Sequence, residues 1–166
     1  MKIMEHSNKI RVGIGEANIV NSPGEIIAVG LGSCIGIALY DKSIALGGLA
    51  HIILPDSTQF NKVNNPFKFA NLAIPLLLNI MEKEGAKKKN ITAKIVGGAS
   101  MFNFADKNKT NDIGNRNEVA VRQSLSELSI PIISTDVGGN KGRTMILDTS
   151  SGIVYIRTIG IGIKEL

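Results

Sequence analysis

The chain has 166 residues, 43% of them hydrophobic, which is enough for one domain with a sizeable core. A single cysteine excludes an internal disulfide and a cysteine-rich metal site. The net charge is +5, but the densest basic run, at 87–89, has no interleaved aromatic residues, which argues against nucleic-acid binding. No stretch reaches the roughly 18 apolar residues of a spanning helix. We therefore expect a cytoplasmic chain without membrane insertion, whose residues 1–8 form a flexible tail.

In the first half of the chain, alternating or β-branched residues predict strands at 9–14, 26–29, 35–40 and 44–54. A turn at 21–24 separates the first two, and a tight turn at 41–43 joins the last two into a hairpin. The Gly47-Gly48 pair predicts a bulge or a close contact. Because the arms of the hairpin are nearly equal, pairing brings Cys34 and His51 across from one another. A register error of one residue would put them on opposite faces.

A polar loop at 55–64 leads to a predicted helix at 65–84, with Asn65 as the cap, Pro66 at the first position and Gly85 as the stop. Pro75 should kink this helix. The rest of the chain predicts strands at 91–96 and 130–135, a loop at 102–110, a second helix at 117–128 and a hairpin of 144–148 with 153–159. Strands that come mainly as hairpins, with two inserted helices, favour an α+β layout over a doubly wound parallel sheet.

Cys34 is the feature most suggestive of chemistry, because Gly30, Gly32 and Gly36 surround it and His51 follows in the next predicted strand. We interpret the two as a nucleophile and its base. The turn through Gly32 and Ser33 would supply N–H groups that lower the thiol pKa and form an oxyanion hole. The alternative is structural, with Cys34 as a small buried hydrophobe and His51 as a core residue.

Two further glycine loops, at 97–101 and 138–140, are either plain turns or the walls of a substrate cleft. Neither matches the phosphate-binding loop of nucleotide-binding proteins. No cluster of His, Asp and Glu has the spacing of a metal site, so we predict no metal and no cofactor.

Five motifs in a fixed order resemble CheD, the family of chemoreceptor glutamine deamidases of bacterial chemotaxis: GLGSC (30–34), AHIILPDS (50–57), GGASMF (97–102), IGNRN (113–117) and DVGGN (136–140). The resemblance implies one domain over 1–166, an α+β fold with a mixed β-sandwich core and helices packed on the outside. That fold is similar to the catalytic domain of cytotoxic necrotizing factor toxins. The implied reaction is hydrolysis of glutamine side chains on chemoreceptors to glutamate and ammonia.

By the same resemblance, Cys34 is the nucleophile and His51 the base, and the other motif residues line the cleft: Gly97, Gly98, Ser100, Asn115, Asn117, Gly139 and Asn140. The family's third catalytic residue, a threonine six positions before the cysteine, falls on Ala28, which has no hydroxyl. The imidazole would then be oriented by Ser33, by a backbone carbonyl or by water.

The implied partners are methyl-accepting chemoreceptors, as the substrate, and the phosphatase CheC, with the chain alone expected to be a monomer. Ala28 keeps a second hypothesis open, a weakly active or inactive regulatory module that binds CheC or receptors. A third is hydrolysis of receptor methyl esters by the same Cys–His chemistry.

Overall fold

In the computed structural model, residues 8–101 and 112–166 are described, so the predicted loop at 102–110 and nearly all of the predicted tail lie outside the described residues. The strands form two five-stranded sheets, ordered β1-β3-β8-β9-β10 and β2-β5-β4-β6-β7. Their bounds are β1 Asn8–Arg11, β2 Glu16–Asn21, β3 Gly24–Leu31, β4 Ile35–Asp41, β5 Leu46–Ile52, β6 Ile91–Gly97, β7 Ile132–Val137, β8 Arg143–Asp148, β9 Val154–Thr158 and β10 Gly162–Glu165.

Three layers follow from the alternation of side chains along the strands of the second sheet. In β4, Ile35 and Ile37 belong to an apolar cluster shared with the two helices. Cys34 and Ala38 belong to a different cluster, which lies between the two sheets. The molecule is thus a β-sandwich with both helices on the outer face of one sheet, and the α+β prediction is confirmed. The likeness to cytotoxic necrotizing factor stays a prediction.

Both helices begin at other residues than the sequence predicts. α1 covers Ala70–Lys83, because Phe69 has an extended backbone (φ −112°, ψ 131°), and Asn65 instead caps the short 3-10 turn Pro66–Lys68. α2 covers Ile113–Glu127, one turn longer than predicted, and the Asp112 side chain caps it by accepting from the Gly114 N–H. At the end of α1, Gly85 has the positive φ of +102° expected of a helix stop.

The predicted hairpin of β4 and β5 forms with an unbroken register, so Gly47 and Gly48 serve close contact and not a bulge. A Cβ on Gly48 would lie 2.9 Å from Leu77 of α1, so a side chain there would push the helix off the sheet. The predicted hairpin of β8 and β9 also forms. β2 and β10 are additional strands, each at the edge of a sheet.

Candidate active site

Cys34 lies in the three-residue connection between β3 and β4, where both sheets contribute backbone. Two hydrogen bonds tie this turn to the end of β6: the Gly98 N–H donates to the Cys34 carbonyl at 2.9 Å, and the Ala99 N–H to the Gly32 carbonyl at 2.8 Å. A Cβ on Gly97 would lie 2.2 Å from the Cys34 carbonyl oxygen, and φ there is +120°. Glycine is required at this position because the two backbones touch. The backbone that carries the thiol is thereby fixed by main-chain contacts.

His51 lies on β5, and the register pairs it with Gly36, two residues after Cys34. Cys34, directly before β4, belongs to the apolar cluster between the sheets. His51 is two residues from Leu49 of that cluster, so the imidazole projects from the same face of the sheet. Glycine is needed at position 36 because Met145 packs directly against it: a Cβ there would lie 2.2 Å from the Met145 Sδ atom. The spacing argument thus gave the correct hairpin and the correct face, with a two-residue offset.

The imidazole of His51 is oriented by main chain. Its Nδ1 lies 3.1 Å from the Val12 carbonyl oxygen. Because a carbonyl only accepts, Nδ1 carries the proton and donates. Nε2 has no hydrogen-bond partner among the described residues, although it is buried. A buried, unpartnered ring nitrogen in its unprotonated form is what a general base needs in order to accept a proton from a thiol.

The loop that carries Val12 is held on both sides of this contact. The Val12 N–H donates to the Ile27 carbonyl, and the Gly15 N–H donates to the carbonyl of His51 itself, both at 2.8 Å. Glu16 pairs with His51 across β2 and β5. The Val12 carbonyl is therefore a rigid acceptor, the kind of group that fixes a histidine tautomer.

Burial governs the titration of both groups. It raises the pKa of the Cys34 thiol above its ordinary value, an effect partly offset by the N–H of Cys34 itself. It lowers the pKa of His51, partly offset by the Val12 carbonyl and by the charge of Glu16. Cys34 is only 6% exposed and His51 only 1%. Both shifts favour the neutral forms, a protonated thiol and an uncharged imidazole.

Asn117, on α2, joins the two strands that carry the pair. Its Nδ2 donates to the Ser33 carbonyl at 2.9 Å and to the Ile53 carbonyl at 3.0 Å. Ser33 directly precedes Cys34, and Ile53 lies two residues after His51. The side chain is fully buried, so it supports the site from behind and does not line an open cleft.

The family profile and the sequence relatives point to one family. A family profile described as CheD chemotactic sensory transduction matches residues 53–158. A protein of Clostridium botulinum strain Hall, named probable chemoreceptor glutamine deamidase CheD, is 63% identical over 158 residues, which cover 95% of this chain and 98% of that protein. A Clostridium kluyveri protein of the same name is 61% identical with the same coverage.

The chain belongs to the CheD family. Among solved structures, the chain is similar to the Bacillus licheniformis hypothetical protein YfiH, with a TM-score of 0.46 and 14% identity over 75% of this chain and 50% of that one.

The CheD motif residues on the glycine loops lie around the Cys34 turn. The Ser100 N–H donates to the Gly139 carbonyl at 2.8 Å, and the Gly138 N–H to the Gly97 carbonyl at 2.9 Å. The two loops are therefore hydrogen-bonded to each other, and Gly98 links them to the Cys34 carbonyl. Gly139 is exposed, as is Asn140 beyond it, while Asn115 is half-buried on α2.

Ala28, for which the sequence analysis predicts the position of a family threonine, is fully buried on β3 in the same apolar cluster as Cys34. Its methyl side chain offers no polar group, and the contact to the imidazole comes from the Val12 carbonyl. Of the oxyanion candidates, Gly32 already donates its N–H to the Gly30 carbonyl at 3.0 Å. The Gly32 N–H is thus already engaged within its own turn. The N–H of Cys34 lies beside its own sulfur.

Sequence reasoning missed Val12 and Arg143. Arg143 is nearly buried and donates to the Asp136 carboxylate at 2.5 Å and to the Gly138 carbonyl, which shapes the loop that meets Ser100. The Gly13-Ile14-Gly15 turn was the available signal for Val12, since a tight turn after a strand exposes carbonyl groups. An arginine directly after a glycine loop was the signal for Arg143.

In the described ranges, no group of three His, Cys, Asp or Glu side chains is arranged to hold a metal ion. Within those same ranges, none of the helices has the length and apolarity needed to span a membrane.

Proposed function

We propose that the chain hydrolyses side-chain amides of glutamine residues on chemoreceptors, giving glutamate and ammonia in chemotactic adaptation. One observation carries the proposal: the buried Nε2 of His51 has no partner among the described residues, and it shares a face with the chain's only thiol. The names of the Clostridium relatives support the choice of substrate. We place the reaction in the cytoplasm, where a lone thiol stays reduced.

In the first half of the reaction, Cys34 attacks the amide carbonyl carbon of a glutamine side chain. Its proton passes to His51 Nε2 as the C–S bond forms, because burial favours the neutral forms of both groups over a preformed thiolate. The carbonyl oxygen becomes an oxyanion, which the N–H groups of Ser33 and Cys34 stabilise. The Val12 carbonyl holds the imidazolium in place while it carries the extra proton.

The intermediate collapses when His51 Nε2 returns that proton to the amide nitrogen and the C–N bond breaks. Ammonia leaves, and a thioester to Cys34 remains. His51 Nε2 then takes a proton from water, whose oxygen attacks the thioester carbon. Cleavage of the C–S bond releases glutamate, and Cys34 recovers its proton. Atoms balance as amide plus water giving acid plus ammonia, without a cofactor.

A regulatory module that binds receptors or the phosphatase CheC is the second candidate, and the buried Ala28 is the observation that favours it. In a CheD protein without the third hydroxyl, binding would persist while turnover was slow. The Val12 carbonyl argues for turnover, because it supplies the orientation that a hydroxyl would give.

Mass spectrometry of receptor fragments separates the two candidates. The enzyme predicts a gain of about 1 Da at each converted glutamine, since an amide NH₂ is replaced by OH. The module predicts no gain, together with measurable binding to CheC.

Ammonia release from the same fragments tests the nucleophile. Cys34→Ala should abolish release, because no other thiol is present in the chain. The Cys34 assignment is wrong if this variant releases ammonia as fast as the unmodified chain.

A further inference from the structure

We propose that Asn117 is a positioning residue for Cys34: it sets the peptide between Ser33 and Cys34 and ties it to the strand of His51. The inference rests on the proposed Cys–His chemistry. Asn117 touches neither reacting group, and it acts through the two carbonyl oxygens to which it donates.

The orientation of the amide is determined by those two carbonyls. Both hydrogens of Nδ2 are used, one on the Ser33 carbonyl and one on the Ile53 carbonyl. A flipped amide would put its oxygen against two other oxygens. Oδ1 is left buried without a partner among the described residues. An unsatisfied buried acceptor is unfavourable, so the double donation must offset it.

The bond to Ser33 has a direct consequence for the oxyanion donors. In a trans peptide, the C=O and the following N–H point in opposite directions. Because the Ser33 carbonyl points toward Asn117 on α2, the Cys34 N–H points away from α2. This is the N–H that lies beside the sulfur and opposes the pKa rise caused by burial. Asn117 therefore orients the Cys34 N–H, a donor that stabilises the thiolate and also binds the oxyanion.

The bond to Ile53 couples the same amide to the other strand. Ile53 directly follows the last residue of β5, and the Ile53 N–H donates to the Lys68 carbonyl at 2.9 Å. One side chain thus bridges the start of β4 and the end of β5, where the interstrand ladder stops. Without this bridge, only the interstrand hydrogen bonds of β4 and β5 would hold the thiol and the imidazole in their relative positions.

The test replaces Asn117 by leucine, which is similar in size and removes both donors. We expect kcat for receptor-glutamine hydrolysis to fall by roughly tenfold or more, with KM little changed, since misplacement of a reacting group acts on the transition state. The second readout needs no substrate. The pH profile of Cys34 alkylation by iodoacetamide should shift its midpoint upward, because the thiolate loses its aimed N–H.

Val121→Ala is the matched control. Val121 is fully buried one turn further along α2 and packs in the helix-side cluster. It should lower the melting temperature and leave the alkylation midpoint and kcat unchanged. Asn117→Ser, which is smaller and keeps one donor, should fall between the leucine variant and the unmodified chain, and it replaces the leucine variant if that one does not fold.

The outcomes separate this inference from the proposed function. If the unmodified chain deamidates and Asn117→Leu keeps its kcat and midpoint, the positioning role is wrong. A Val121→Ala variant that shows the same shift of the alkylation midpoint would also overturn the positioning role, because loss of helix packing would then explain the shift. If the unmodified chain does not deamidate but the midpoint moves only in the Asn117 variants, the positioning role stands and the proposed function fails.

Discussion

The two faces of the sheet that contains β4 and β5 are built from the same strands but have different roles, one in the core and one in the candidate site. On the helix side, side chains such as Ile37 and Ile52 pack against α1 and α2 in a wholly apolar cluster. On the sandwich side, Cys34 and His51 occupy the ends of the same two strands, beside Ala38 and Leu49. One register thus decides which residues build the core and which form the site.

This difference explains how a buried site is kept rigid without a third polar side chain. Both groups are buried on the sandwich side, and burial pushes the thiol and the imidazole toward their neutral forms. The polar contacts that hold them come from main chain, namely the Val12 and Gly98 backbones. The helix side contributes through Asn117, which reaches the backbone of the site.

The largest expected effect comes from His51→Gln, which removes the proposed base on the sandwich side. Loss of a general base lowers kcat by roughly 10²- to 10⁴-fold. The measurement is ammonia release from receptor fragments, with His6→Gln as the control that should behave as the unmodified chain. A His51→Gln variant that retains more than about a tenth of the rate would show that the imidazole is not the base.

Two glycine substitutions sharpen the comparison between the faces. Gly97→Ala puts a Cβ 2.2 Å from the Cys34 carbonyl, whereas Gly85→Ala, at the end of α1, meets open space. Both positions have positive φ, so each variant loses about 1–2 kcal/mol of stability from backbone strain. Only Gly97→Ala should also lower kcat, by roughly tenfold or more, because it displaces the nucleophile.

Thermal denaturation and initial rates measure both effects in the glycine pair. Equal kcat in the two variants would mean that the contact between Gly97 and Cys34 does not position the sulfur.

The third prediction concerns pH and the buried imidazole. The folded pKa of His51 lies below its ordinary value of 6.5, so the unfolded chain binds more protons there. Stability contributed by the neutral imidazole is complete above about pH 6.5 and is lost as the pH falls through the folded pKa. The free energy of unfolding, measured with denaturant, should therefore fall more steeply with decreasing pH in the unmodified chain than in His51→Gln. Parallel curves would contradict a depressed pKa.

The smallest expected effect is that of Ala28→Thr, which adds the hydroxyl that the sequence analysis predicts for the family at this position. Because the Val12 carbonyl already holds Nδ1, kcat should change by less than about threefold. The buried hydroxyl should lower stability by about 1–3 kcal/mol, unless it finds a partner. A gain in kcat of tenfold or more would show that the imidazole is poorly oriented without that hydroxyl.

Much of the fold could be predicted from the sequence, because the central strands carry strong β-branched patterns and a short turn sets the register of β4 and β5. The edge strand β2 was missed, since Glu16, Asn18 and Asn21 dilute its alternation at the rim of a sheet. The start of α1 was misplaced, because Asn65-Pro66 has the signature of a helix start but opens a 3-10 turn that Phe69 ends.

For the site, the sequence could supply the side chains that we propose to react but not the backbone that orients them. Cys34 and His51 are recognisable by residue type and by hairpin spacing. A carbonyl such as that of Val12 is present in every residue, and only the folded loop reveals which one faces an imidazole. Asn117 was predicted to line the cleft, whereas its contacts are to backbone behind the thiol.

The claim that the Val12 carbonyl leaves His51 with a free Nε2 base can be tested directly by ¹⁵N NMR. The chain has only two histidines, and the His51→Gln spectrum assigns the signals. At pH 7 we expect a neutral ring with its proton on Nδ1 and an unprotonated Nε2. A proton on Nε2, or a charged imidazolium at that pH, would contradict the account.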